Sequence, residues 1–157
     1  MLQVSLPGRN KNLQLKNLVL DINGTLTLDG ELISGVEQRL EVLKSSFDIY
    51  LLSADTYGCA KQVACQLGLE LFRVDAEEGG SDKKDFLSNL GPDESVAIGN
   101  GFNDIYMLET AGLAIVVIGI EGCSIQALNR ADIAVGHIHD ALDLLIHPKR
   151  LIATLRA

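Results

Sequence analysis

Three short stretches of this 157-residue chain combine residues suited to chemistry on a phosphoryl group: Asp21-Ile22-Asn23-Gly24-Thr25, Ser53-Ala54-Asp55-Thr56 and Gly99-Asn100-Gly101-Phe102-Asn103-Asp104. A fourth, Lys83-Lys84, supplies positive charge. A carboxylate such as Asp21 can act as a nucleophile, and hydroxyls and glycine-framed amides can hold equatorial phosphoryl oxygens. A lysine neutralises charge, and carboxylate and amide oxygens bind a hard cation such as Mg²⁺. Together these types suit phosphoryl transfer to a carboxylate. With 13 Lys and Arg against 21 Asp and Glu, the net charge is −8. A phosphate dianion approaching a carboxylate in such a chain is repelled unless a cation and a lysine offset it.

Each stretch needs an element to position it. Apolar runs of strand length occur at 17–20, 48–52, 71–74, 95–98, 113–118 and 132–135. The first, second and fourth end where the three chemical stretches begin. Between the runs lie helical patterns, with Val36, Leu40 and Leu43 on one face, Phe86 and Leu90 on another, and Ile105, Leu108 and Ala111 on a third. Alternating strands and helices predict an α/β fold, a three-layer doubly wound parallel sheet whose ligands sit at the carboxyl ends of the strands. Residues 2–6 and 12–20 flank the Pro7-Gly8-Arg9-Asn10 turn and predict an N-terminal β-hairpin. A second hairpin around Asp29-Gly30 predicts a β-flap directly after the first core strand. Pro148 is placed to open a final helix on the flank of the sheet.

Composition bounds the rest. The length fits one domain over 1–157, with a hairpin appendage at 1–16, a core at 17–135 and C-terminal helices at 138–157. A 47% hydrophobic fraction and a mean hydropathy of +0.21 supply a core and exclude a disordered chain. The longest stretch free of charge, Thr110 to Ile120, is too short to cross a bilayer, and no export signal opens the chain. The expected setting is cytoplasmic, with no membrane and no nucleic-acid partner, because the acidic balance repels both anionic lipid and phosphate backbones. Cys59, Cys65 and Cys123 form no CxxC pair and read as small buried thiols of a reducing compartment. His137, His139 and His147 lack metal-ligand spacing and read as loop and helix-end residues.

The four stretches, in this order, resemble the motifs of the haloacid dehalogenase (HAD) superfamily. DINGTLT is similar to its opening motif, SAD to its second, Lys83 to its lysine and GNGFND to its acidic fourth motif. The pattern is nearest to the phosphorylation domains of P-type ATPases. The resemblance implies an Mg²⁺-dependent phosphohydrolase that forms an aspartyl-phosphate on Asp21. Thr25 and Ser53 would stand near the phosphoryl group and Lys83 would be the site lysine. Lys83 fits better than Lys84, because Phe86 and Leu90 follow it at the apolar spacing the ATPases show. The implied metal ligands are Asp21, the Asn23 backbone carbonyl, Asn100 and Asp104. Gly24, Ala54, Asp55 and Asn103 fall at substrate-binding positions. Read as residues alone, Asp55 is equally a helix cap, Asn103 a shaper of its loop and Lys84 a solvated charge.

Two departures from the pattern matter. Asn23 stands where HAD phosphatases place an Asp that moves protons; an amide cannot do so, and losing such a group costs about 10²- to 10⁴-fold in rate. Asn100 stands where a metal-binding Asp is usual, which keeps a ligand oxygen and loses a charge. Turnover is expected to be slow. A catalytically weakened domain that binds a phosphorylated ligand or protein partner is the alternative. The intervals from Thr25 to Ser53 and from Asp55 to Lys83 leave no room for a cap or a nucleotide-binding domain. A capless site either accepts a large substrate, a phosphoprotein among them, or is closed over a small phosphorylated molecule by a neighbouring subunit in a dimer or tetramer.

Overall fold

The computed structural model describes residues 1–55 and 58–157. Thr56, the last residue of the second chemical stretch, lies outside the described residues.

The chain opens with β1 (Leu2–Leu6) and β2 (Lys11–Leu15), an antiparallel hairpin in which Leu2 faces Leu15. Alternation puts Val4, Leu6, Leu13 and Leu15 on one buried side. β3 (Asn17–Asp21) follows and is buried along its whole length. After it, β4 (Thr27–Leu28) and β5 (Glu31–Leu32) form the flap, with Asp29 and Gly30 at φ 52° and 83° in its turn. Positive φ at both positions is what a tight hairpin of this twist requires, and Asp-Gly supplies it.

The remaining elements alternate as α1 (Val36–Leu43), β6 (Asp48–Ser53), α2 (Ala60–Leu67), β7 (Glu70–Arg73), α3 (Gly79–Leu90) and β8 (Ser95–Gly99). Then come α4 (Ile105–Thr110), β9 (Leu113–Val117), α5 (Ile125–Leu128), β10 (Ile133–Val135), α6 (Ile138–Ile146) and α7 (Pro148–Leu155). Six strands pair in parallel in the order β10-β9-β8-β3-β6-β7. β3, β8 and β9 are buried at every residue, as strands covered on both faces must be. Leu18 and Leu20 join a core with the inner residues of α1, α2, α6 and the hairpin, whereas Val19 faces a second core with Leu87, Met107 and Leu108 from α3 and α4.

This is the predicted three-layer, doubly wound fold. The chain winds outward from β3 to β7, then α3 carries it back across the opposite face to β8 on the other side of β3. Strand order therefore reverses between β3 and β8, the place where such sheets open a crevice at their carboxyl ends.

Two expectations need correction. α7 packs on α6 and β1, not on the flank of the sheet, because the apolar side of the hairpin has to be covered and Leu151 and Leu155 cover it. The cysteines are not buried: Cys65 is exposed, and Cys59 and Cys123 are half-buried. Partial burial, reinforced by Asp55 and Asp104 respectively, still pushes the Cys59 and Cys123 thiols above their ordinary pKa.

Candidate active site

Asp21 ends β3, and the chain immediately wraps around the Ile22 carbonyl, which accepts the N–H groups of Thr25, Leu26 and Thr27 at 3.2, 2.9 and 3.1 Å. The Thr27 hydroxyl donates to the same carbonyl at 3.1 Å. This tight loop requires φ 75° at Gly24, and it returns the Thr25 hydroxyl to within 3.2 Å of Asp21 Oδ2. A Cβ on Gly24 would stand 2.5 Å from the Asn100 amide nitrogen, so both the turn and the neighbour demand glycine.

Lys83 reaches the same point from α3. The start of that helix is set by Asp75, whose Oδ1 accepts the N–H groups of Glu77 and Glu78 at 2.7 and 3.0 Å. These bonds hold the Asp75 carboxyl below its ordinary pKa. One turn into α3, the Lys83 side chain is fully buried and its Nζ lies 2.6 Å from both Asp21 Oδ1 and Asp104 Oδ1. Asp104 has no exposed surface either, and its Oδ2 accepts the N–H groups of Asn100 and Gly101 at 2.9 and 2.8 Å.

The result is a buried triad of two carboxylates and one ammonium, with one negative charge in excess. Burial, and next the like charge of Asp104, raise the Asp21 carboxyl to about 6 against the opposing pull of Lys83 and Thr25. Burial alone would lower the Lys83 ammonium, but Asp104 and Asp21 together hold it above its ordinary range. Lys83 is therefore a fixed cation, and the Asp21 carboxyl stands above the usual carboxylate range.

The second oxygen of Asp21 points to a different set of partners. Thr25 Oγ lies 3.2 Å from Asp21 Oδ2 and 3.2 Å from Asn100 Oδ1. A hydroxyl carries one proton, so it can serve only one of these acceptors at a time. Three oxygens thus converge where a single proton cannot satisfy them, and the Asn100 amide is held in place by donating from Nδ2 to the Gly122 carbonyl at 3.1 Å. All-oxygen donors of this kind suit a hard divalent cation. Among the described residues no group of three His, Cys, Asp or Glu side chains could hold a metal unaided, so Asn100 and a backbone carbonyl would have to contribute. Asp104 commits its oxygens to Lys83 and two backbone amides, which leaves Asp21 and Asn100 as the more open side-chain donors.

The other candidate residues are placed as follows. Ser53 lies one position beyond Leu52, the partner of Asp21 in register. Its buried hydroxyl accepts the Asp55 N–H at 2.9 Å and, among the described residues, donates to no protein group. Ala54 is half-buried in the turn that follows. Asp55 adopts φ 57°, accepts the Ala60 N–H at the start of α2 at 2.7 Å, and pairs with Arg73 at 3.1 Å. That is capping geometry. Asn23 buries its Oδ1 without a hydrogen-bond partner among the described residues. Asn103 is exposed and lines a groove with Phe102 and Tyr106 along the start of α3. Lys84 lies outside the triad, with its Nζ 5.9 Å from the Tyr106 ring centroid.

A switch-point crevice that holds a carboxylate at the end of the first core strand, a buried lysine and an acidic loop after the fourth can be set beside known proteins. No protein-family model matches the chain. The cobalt-bound deoxy-D-mannose-octulosonate 8-phosphate phosphatase of Haemophilus influenzae superposes with a TM-score of 0.71 at 15% identity, covering 92% of this chain and 94% of that one. A phospho-aspartyl intermediate analogue of phosphoserine phosphatase superposes at 0.69 with 16% identity, over 83% and 99%. The chain thus shares the fold of these phosphatases. In sequence it belongs to one family with the uncharacterized protein MJ0073 of Methanocaldococcus jannaschii, at 43% identity over 91 residues that cover 54% of this chain and 98% of that protein. A soluble P-type ATPase-like phosphatase of the same organism is 26% identical over 127 residues, 79% of this chain and 46% of that protein. The chain thus spans less than half the length of that relative.

Sequence reasoning missed two parts of this site. A Cβ at Gly99 would stand 2.5 Å from the Asp104 carboxyl, so the last residue of β8 makes room for the acid that grips Lys83. The Gly119–Gly122 turn, joined by a β-bridge, receives the Asn100 amide. The glycine pair was visible in the sequence, but nothing local tied it to a motif some twenty residues away.

Proposed function

We propose that this chain is an Mg²⁺-dependent phosphohydrolase that acts through an aspartyl-phosphate on Asp21. The observation that carries the reading is the buried triad. Buried charges at the edge of an apolar sheet are destabilising, and two carboxylates, one of them at a strand end, packed at 2.6 Å on one ammonium serve phosphate chemistry better than stability. In the first step the Asp21 carboxylate attacks phosphorus and the bond to the alcohol oxygen breaks. The leaving alkoxide takes a proton delivered through water, because Asn23 has none to give. In the second step water attacks the phosphoryl group and releases a proton to solvent, the phosphorus–oxygen bond to Asp21 breaks, and phosphate departs. Lys83 offsets charge at Asp21 throughout, and the O–H of Ser53, which donates to no group among the described residues, is available to a phosphoryl oxygen. Asp21, Asn100, Asp104 and the Asn23 carbonyl would hold Mg²⁺, which when bound offsets the phosphoryl charge.

Asn23 favours a second reading, a weakened domain that retains a phosphorylated ligand or partner. Its buried oxygen, without a partner among the described residues, can accept a hydrogen bond from water or an alcohol but cannot remove the proton. One experiment separates the two: acetyl phosphate and p-nitrophenyl phosphate with Mg²⁺, on wild type, Asp21→Asn and Asn23→Asp. The phosphohydrolase reading expects slow turnover in wild type, none in Asp21→Asn and faster dephosphorylation in Asn23→Asp. Failure of wild type to turn over, or to take up a phosphoryl or beryllofluoride group at Asp21, defeats it; retention of the phosphorylated compound without turnover supports the binding domain.

A further inference from the structure

We propose that a cavity beside the nucleophile receives a small, uncharged, apolar end of the substrate's alcohol, an inference that rests on the phosphohydrolase reading. The cavity holds about 130 Å³ and is walled by Gly24, Thr25, Leu28, Ile33, Val117 and Ile120. It therefore lies between the flap and the loop after β9, at the same edge of the sheet as Asp21. Thr25 belongs to both spaces, because its hydroxyl contacts Asp21 Oδ2 at 3.2 Å while the residue also lines the cavity. A group esterified to a phosphate at Asp21 has this recess within reach.

Its chemistry selects the occupant. A dry protein cavity of about 150 Å³ accommodates benzene, so this one suits a branched group of about four to six carbons. The polar lining includes Glu121 and His137, and no Lys or Arg is among the described residues that form it. A second anionic group on the alcohol would meet mostly apolar walls and, among the described residues that line the cavity, no Lys or Arg to offset its charge. His137 is already engaged at Nδ1, which accepts the His139 N–H at 3.1 Å. At the rim, Ile120 is 86% exposed, an apolar cost that a bound alkyl group would relieve.

The space is kept open by residues with no side chain to fill it. Gly119 and Gly136 line it, and a Cβ at Gly136 would meet nothing within 4 Å. Gly136→Leu should thus fill the recess without disturbing the backbone, and Ile120→Ser changes only the exposed rim. Neither residue contacts Asp21, Lys83 or Asp104.

The test is binding of non-hydrolysable phosphonates to the Mg²⁺-loaded protein by calorimetry, with thermal melts to verify folding. In wild type, 3-methylbutylphosphonate should bind at least tenfold more tightly than methylphosphonate, and 3-carboxypropylphosphonate should gain no such advantage. Gly136→Leu should bring the branched compound to parity while leaving methylphosphonate unchanged, and Ile120→Ser should reduce its advantage severalfold. Equal binding of the branched and methyl compounds to wild type, or an advantage that survives Gly136→Leu, overturns the cavity assignment and leaves the phosphohydrolase reading standing. Absence of methylphosphonate binding counts against the phosphate site itself and overturns both.

Discussion

At the scale of single residues, the site depends on Lys83 more than on any other side chain. Removing one member of a buried ion cluster costs about 3–5 kcal/mol, because the charges left behind are unpaired. Lys83→Met should therefore lose phosphoryl uptake and lower stability by about that amount in urea unfolding. Asp21 gives a pH signature. Its carboxyl is raised from 3.8 to about 6 in the folded protein, so folding binds the proton. The stability this group contributes is full below about pH 4 and is lost as pH rises through about 6. In chelator, the stability advantage of Asp21→Asn over wild type should grow across that window and flatten above it. An advantage that stays constant from pH 4 to 7 would put the carboxyl at its ordinary value. Asp21, Thr25, Lys83, Asn100 and Asp104 were all legible as candidates because residue type and order sufficed. The shared Thr25 proton and the committed oxygens of Asp104 were not, because they depend on loop geometry fixed by tertiary neighbours.

At the scale of elements, the strand ends position the chemistry, and their glycines can be tested one against another. A Cβ at Gly99 would collide with the Asp104 carboxyl at 2.5 Å, whereas one at Gly112 would collide with the Asp93 backbone at 2.5 Å, on the loop leading into β9 and outside the triad. Both alanine variants should lose stability, by about 1–3 kcal/mol. Only Gly99→Ala should also lose activity per folded molecule, by tenfold or more in kcat/KM at matched folded fraction. Full activity in folded Gly99→Ala would mean that the loop after β8 tolerates displacement of Asp104. The six core strands were readable because largely apolar runs followed by Asp, Ser or Gly leave little choice of element. α7 was misplaced because an amphipathic helix records that it has an apolar face but not which surface covers it.

At the scale of the whole molecule, the reversal of strand order explains why residues as distant as 21, 83 and 104 meet. β3 supplies the first, the helix that crosses back over the sheet supplies the second, and the turn after β8 supplies the third. The hairpin and α7 stabilise this arrangement from the opposite end of the chain, with the Ala157 N–H donating to the Pro7 carbonyl at 3.1 Å and the Arg9 guanidinium to the Leu155 carbonyl at 3.2 Å. The buried triad also sets a limit on how robust the molecule is. Buried ion clusters are commonly outperformed in stability by neutral groups of similar size, and active sites are where natural chains tolerate that deficit. The triple variant Asp21→Asn, Lys83→Met, Asp104→Asn should be inert toward acetyl phosphate and yet melt at a higher temperature than the metal-free wild type. The heat resistance surrendered at these three positions would then measure how far selection has held the chain from its most durable form.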